Sequence, residues 1–179
     1  KIETITLGGG FFWCLEAAFN QLGGVVLAES GYSNGHHPSP SYEAVCSGTT
    51  GHAEVVRITF DPERISYRQL LTVFFSLHDP TTLNRQGNDA GTQYRSGIYT
   101  HDEAQAEKAR QVIGELSDSN AFDAPIVTEI AQVANYHPAE AYHQGYVAEN
   151  PYQGYCTVIV RPKLAKFQRT FNALLKAPG

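Results

Sequence analysis

Gly8-Gly9-Gly10-Phe11-Phe12-Trp13-Cys14-Leu15-Glu16 joins two unlike segments. Before it runs a β-forming stretch, Ile2, Thr4, Ile5, Thr6 and Leu7; after it, Leu15, Ala18, Phe19 and Leu22 recur at helical spacing. A strand that turns through three glycines into a helix is a natural place for chemistry. Glycine lets the backbone approach a ligand closely, and the first N–H groups of the helix, at the positive end of its dipole, stabilise an anion. A thiolate held there is activated by the same field. Taken alone, the triplet reads as a flexible turn and Phe12-Trp13 as core.

Outward from this stretch the chain alternates strands and helices. Val25 to Ala28 reads as a strand leading into a loop through Gly31-Tyr32 and Gly35. His36-His37 follow, but Pro38 and Pro40 keep that segment extended and no Cys-x-x-Cys or His-x-x-x-His partner accompanies it, so a solvated loop is expected and no metal site. Ala53 to Phe60 is a strand ended by Asp61-Pro62, and Ser66 caps a core helix bearing Leu70, Leu71, Val73, Phe74 and Leu77, stopped before Pro80. The polar, turn-rich stretch from Asp79 to Arg95 is expected to be a functional loop. Ser96 to Thr100 is a strand, Asp102 caps a surface helix running to about Leu116, and Pro125 to Ile130 is another strand. Pro138 opens a short helix containing Tyr142, His143 and Tyr146. Asn150 to Cys156 reads as a Pro/Gly/Tyr loop, and a last helix after Pro162 carries Leu164, Phe167, Phe171, Leu174 and Leu175 on one face. With no GxGxxG, this order predicts an α+β or α/β sandwich, not a nucleotide-binding fold.

At 179 residues and 42% hydrophobic content the chain is expected to form a single domain, 1–179, around a sizeable core. A net charge of −5 gives no basic footprint for nucleic acid or anionic lipid. No apolar run reaches the ~20 residues of a membrane span, and no signal-peptide pattern opens the chain; a cytoplasmic monomer is the expectation. Three cysteines, Cys14, Cys46 and Cys156, point to thiol chemistry rather than a disulfide framework.

A set of motifs decides among chemistries. Gly9-Gly10-X-Phe12-Trp13-Cys14, Gly31-Tyr32, Ser41-Tyr42-Glu43-Ala44-Val45-Cys46-Ser47-Gly48, Thr50-Gly51-His52-Ala53-Glu54, Gly87-Asn88-Asp89, Gly91-Thr92-Gln93-Tyr94-Arg95-Ser96, Tyr142-His143-Gln144 and Gly154-Tyr155-Cys156 together resemble the type A peptide-methionine sulfoxide reductases, over almost the full length. The resemblance implies an α+β fold, a two-layer α/β sandwich with a ferredoxin-like core. It also implies thiol-dependent reduction of methionine-S-sulfoxide, free or in proteins, without a cofactor or metal and with thioredoxin or a similar dithiol as reductant. In that family X is the catalytic cysteine, occasionally selenocysteine; here it is Phe11.

Reducing a sulfoxide requires a soft nucleophile, acids for the departing oxygen and an apolar grip on the S-methyl group. Phe12 and Trp13 suit the grip. The resemblance puts Glu54, Tyr42 and Tyr94 at the oxygen, with Asp89 and Tyr155 nearby; a carboxyl walled by aromatics stays protonated and serves as an acid near neutral pH. After attack the family's cysteine becomes a sulfenic acid that a second cysteine captures as a disulfide. Cys156 stands at the usual recycling position, in a segment that reads as mobile, and Cys46 is the second choice. Phe11 has no nucleophilic atom, and Cys14, about a turn along the helix, is a poor substitute. Three functions follow: a reductase with its nucleophile replaced, a relative that binds methionine sulfoxide or methionine without turnover, and, unsupported by any local signature, a thiol-dependent acyl-transfer enzyme.

Overall fold

In the computed structural model, which describes residues 1–176, the β-forming run at the start of the chain becomes an inner strand of a sheet. β1 (Glu3–Gly8) turns into α1 (Phe12–Asn20), and β2 (Val25–Ser33) follows. α2 (Tyr42–Cys46) opens with the Ser41 hydroxyl accepting from the Ala44 N–H. β3 (Ala53–Phe60) leads to α3 (Tyr67–Leu77), whose first turn is closed by a reciprocal capping box between Ser66 and Gln69. The short β4 (Arg85–Gln86) and β5 (Asp89–Ala90) pair as a hairpin, followed by a 3₁₀ turn at Thr92–Tyr94. β6 (Gly97–Thr100), α4 (Glu103–Asp118, capped by Asp102), β7 (Glu129–Gln132), β8 (His137–Pro138), α5 (Tyr146–Glu149) and α6 (Arg161–Thr170) complete the order.

The six main strands lie in the order β7-β6-β1-β3-β2-β8, antiparallel except for the parallel pair β6–β7. The architecture is mixed α/β, with helices packed on the sheet. Because side chains alternate across a strand, Ile5 and Leu7 of β1, Val56, Ile58 and Phe60 of β3 and Ile98 of β6 join one buried cluster with Phe12, Leu15 and Phe19 of α1 and Leu70 and Phe74 of α3. Truncating a side chain as buried as Phe19 or Phe74 to Ala would cost about 3–5 kcal/mol. Ala53, Val55 and Tyr99 form a smaller cluster of their own. Glu54 has the parity of Val56 and Ile58 and therefore points among the helices. No helix among the described residues is long and apolar enough to cross a membrane.

Four sequence expectations are corrected. β2 continues through Gly31 and Tyr32, where the Tyr136 ring lies so close that a Cβ on Gly31 would meet it at 2.6 Å. The strand expected over 125–130 begins only at Glu129, because Pro125 has no N–H to give and the Val127 N–H donates to Pro80 O instead. The helix expected after Pro138 is broken: His137–Pro138 pairs with β2, a 3₁₀ turn spans Ala141–His143, and Gly145 sits at φ +65° before α5. Cys156 does not lie in a loop. The chain is helical from Gly154, with a wide π turn at Cys156–Val160 running straight into α6, and Cys156 is fully buried.

Candidate active site

Residue 11 is the N-cap of α1, in extended conformation at φ −66° and ψ 129°. The preceding glycines are required by close packing: a Cβ on Gly8 would lie 3.1 Å from Glu54 O, and Gly10 adopts φ +88°. The half-buried Phe11 ring sits in a cage of aromatic rings. Its centroid is 4.4 Å from Trp13, 5.3 Å from Tyr155, 5.4 Å from Phe12, 6.0 Å from Tyr42 and 6.5 Å from His143. Trp13 is itself fixed, stacked on Tyr146 at 3.8 Å and donating through Nε1 to His143 Nδ1 at 3.0 Å.

Beside this cage lies a carboxyl that water cannot reach. Glu54 is fully buried; Oε1 accepts from the Phe12 N–H at 3.3 Å, and Oε2 has no partner among the described residues. Burial holds its pKa well above the ordinary carboxylate value, the Phe12 N–H opposing the shift and Asp89 adding to it. Burial therefore favours the neutral, proton-bearing form of this carboxyl. Tyr42 and Tyr94 are likewise held protonated, first by burial and further by Cys46 and Glu54. The Tyr155 hydroxyl donates to Asp89 Oδ2 at 2.9 Å. Phe11, Phe12, Trp13, Tyr42, Glu54, Tyr94, Asp89 and Tyr155 are thus drawn together from five separate stretches of chain.

The raised Glu54 pKa carries a sign. The folded chain keeps a proton that the unfolded chain gives up near pH 4.5, so stability falls as pH rises from there through the folded value. Glu54→Gln should remove that slope: its stability relative to the parent should increase between about pH 5 and pH 8 in urea titrations. A difference that stays constant with pH would mean the carboxyl ionises freely in the folded chain.

The three cysteines are all free. Cys46 is exposed on α2, its thiol pushed up by burial of the sulfur, with Tyr42 opposing and Glu54 and Glu140 adding. Cys14 is buried, and burial pushes its thiol up to about 11 against the opposing charge of Lys163. Cys156 adjoins Tyr155 but is enclosed by its helical turn, the Cys156 N–H donating to Gln153 Oε1 at 3.1 Å.

Sequence reasoning missed two residues that organise the cage. His143 is 2% exposed; accepting from Trp13 leaves its proton on Nε2, which has no partner among the described residues. Glu140 accepts from the Tyr32 hydroxyl at 2.7 Å and from the Tyr42 N–H at 2.8 Å, so it sets where α2 starts. The signal for His143 was the Tyr142-His143-Gln144 motif, which does not include Glu140. Among the described residues no three His, Cys, Asp or Glu side chains are grouped to hold a metal ion.

Over residues 3–175 the sequence matches the family described as peptide methionine sulfoxide reductase. It is 57% identical to the peptide methionine sulfoxide reductase MsrA of Chromobacterium violaceum, over 98% of this chain and 99% of that one. The fold is similar to that of methionine sulfoxide reductase A of Corynebacterium diphtheriae, with a TM-score of 0.81 and 38% identity, covering 85% of this chain and 76% of that one. Mxr1 from Saccharomyces cerevisiae in reduced form aligns with a TM-score of 0.79 and 37% identity over 87% and 90% of the two chains. Mxr1 in complex with Trx2 aligns at 0.56 and 27% over 82% and 85%.

Proposed function

The chain belongs to the peptide methionine sulfoxide reductase family, and we propose on that premise that residues 1–179 act as one reductase domain for methionine-S-sulfoxide, left without turnover by Phe11. The observation that carries the reading is the fully buried Glu54, its pKa held up by burial, with an Oε2 uncommitted among the described residues beside the aromatic cage. Oxidised methionine in proteins and the free amino acid are both substrates in this reading.

Methionine sulfoxide offers a polarised oxygen, an electrophilic sulfur and a methyl group. Phe12 and Trp13 receive the methyl group, and Glu54, Tyr42 and Tyr94 surround the oxygen. A thiolate at position 11 attacks the sulfur; the oxygen takes a proton from Glu54, leaves sulfur, and ends on the thiol as a sulfenic acid while the thioether departs. A second cysteine, Cys156, displaces water from the sulfenic acid to form a disulfide, which a dithiol protein such as thioredoxin reduces while becoming a disulfide itself. The similarity to Mxr1, which has been captured with Trx2, supports that partner. In this chain the first bond has no atom to form it.

The test is methionine sulfoxide turnover with dithiothreitol by this chain and by its Phe11→Cys variant: none by the first, sustained turnover by the second. In the Phe11→Cys background, Glu54→Gln should lower the single-turnover rate about 10²-fold while substrate affinity changes little, because its proton matters most as charge gathers on oxygen in the transition state. The double change of Tyr42 and Tyr94 to Phe should act the same way. Unchanged single-turnover rates in both would make these side chains structural.

A second reading, a relative that holds methionine sulfoxide or methionine without turnover, is favoured by a cage whose walls Trp13 and Tyr42 are held in place while position 11 carries no nucleophile, although the Phe11 ring takes space inside it. Isothermal titration of this chain with methionine sulfoxide separates them: saturable binding supports it, and absence of binding with gain of binding in Phe11→Cys excludes it.

A further inference from the structure

Gly9 and Gly10 rest on two side chains that the chemistry above leaves unused. A Cβ on Gly9 would lie 2.9 Å from His78 Cγ, and one on Gly10 would lie 2.9 Å from Gln86 Cγ, so both side chains press directly against the backbone of the turn. Neither is free to yield. The His78 ring, 7% exposed, meets Phe74 O through Nδ1 at 2.8 Å and Ser96 Oγ through Nε2 at 2.7 Å. A carbonyl only accepts, so Nδ1 carries the proton and Nε2 accepts from the Ser96 hydroxyl, which lies 2.7 Å from Thr128 Oγ1. Burial keeps this ring neutral, its pKa pushed down to about 4.

Gln86 is held just as firmly. Both ends of its amide bind the residue that follows His78: Oε1 accepts from the Asp79 N–H at 2.9 Å, and Nε2 donates to Asp79 O. The end of α3 and the β4–β5 hairpin are thereby locked together under the glycines. Gln86 also pairs with Asp89 across the hairpin, and Asp89 receives the Tyr155 hydroxyl. His78 and Gln86 line a cleft of ≈ 940 Å³ that shares no residue with the aromatic cage, so they touch the turn from behind the site.

We propose that Gln86 is a positioning residue for position 11: its clamp on Asp79 holds its side-chain stem against Gly10, fixing the direction in which the residue-11 side chain enters the cage and the Phe12 N–H meets Glu54. The inference rests on the reductase reading for its effect on turnover, and on geometry alone for its effect on the thiol. Glutamine suits the place because the clamp needs a donor and an acceptor on one rigid group. Methionine keeps the stem and supplies neither; a carboxyl supplies both only while protonated.

The experiment is made in the Phe11→Cys background. Gln86→Met should lower the single-turnover rate of methionine sulfoxide reduction by about 10-fold or more with the Kd for methionine sulfoxide within about twofold, since a nucleophile displaced by a fraction of an ångström loses rate before affinity. Alkylation of the thiol introduced at position 11 by iodoacetamide, followed by mass spectrometry of that peptide, should change by about fivefold or more. Gln86→Glu should approach the rate of its Gln86 parent as pH is lowered from about 8 to 6, because the neutral carboxyl remakes both bonds to Asp79. Rates and alkylation within about twofold of the parent in Gln86→Met, rate and affinity falling together, or a Gln86→Glu ratio flat with pH would each overturn the proposal. Lack of turnover in the Phe11→Cys parent would instead overturn the reductase reading, while the alkylation comparison still decides the role of Gln86.

Discussion

Phe11→Cys should turn a chain with no measurable methionine sulfoxide turnover into a working reductase, a gain of about 10⁴-fold or more, since removal of a covalent nucleophile costs that much in enzymes that depend on one. The scaffold around position 11 already has what a thiolate needs. The residue caps α1, where the helix dipole lowers a thiol pKa. The cage is complete without the phenyl ring: Trp13 is held by Tyr146 and His143, and Tyr42 by Glu140, none of them through Phe11. Replacing the ring with a thiol opens room for the sulfoxide at the place where the ring now stands. The native thiols do not compensate. Cys14 is buried with its thiol pushed up to about 11, so only about one molecule in ten thousand carries a thiolate at neutral pH, and Cys46 is likewise pushed up. Dithiothreitol-driven reduction by this chain at a rate comparable with the Phe11→Cys variant would show that another thiol carries the chemistry.

How much of this was legible in the chain differs by residue. The strand-Gly-Gly-Gly-helix turn was readable because local periodicity and glycine both speak within one short stretch, and α3 because Ser66 and Gln69 sit three residues apart ahead of an apolar stripe. The inward direction of Glu54 was implicit in its parity with Val56, Ile58 and Phe60. Its protonated state was an expectation drawn from the aromatic residues that the resemblance places around it; its burial under α1, whose Phe12 N–H is the one group bonded to it among the described residues, was not legible. His143 escaped notice for a related reason: its value lies in a bond to Trp13, 130 residues away, that no local pattern encodes. The loop expected at Asn150 to Cys156 went wrong because Pro, Gly and Tyr favour turns by propensity. Here tertiary burial of Cys156, Val160 and Leu164, with Gln153 accepting the Cys156 N–H and the Thr157 N–H, holds a helix instead. The Gly9 and Gly10 requirement was visible as sequence, but its cause, two clamped side chains from α3's end and β4, was not.

That correction alters the argument for recycling without moving the assignment. In the Phe11→Cys background, Cys156→Ser should leave the first reductive turnover intact and abolish thioredoxin-driven cycling, whereas Cys46→Ser should cycle. A disulfide needs the two Cα atoms within roughly 7 Å, and Cys156 starts well placed in one respect: its neighbour Tyr155 already has its ring 5.3 Å from the ring at position 11. What it lacks is exposure. To reach a sulfenic acid at position 11 the turn around Cys156 must open, and this is the part of the helix least costly to open. Its bonds are of the π type, seldom formed in isolation, and Thr157, Val158 and Ile159 face solvent, with Val158 69% exposed, so unwinding sacrifices little packing beyond Cys156 and Val160. Cys46 has the opposite profile: exposed from the start, but on α2, whose first N–H is tied to Glu140 and whose Tyr42 must stay in place for the chemistry. Moving Cys46 inward would dismantle the acid side of the site; opening the π turn would not. Under oxidation by methionine sulfoxide, Cys156→Ser should therefore accumulate a sulfenic acid at position 11 that dimedone traps, and the parent should show a disulfide joining positions 11 and 156 in its peptide map. Cycling that survives Cys156→Ser and disappears with Cys46→Ser would reverse the assignment and show that α2, not the π turn, is the element that moves.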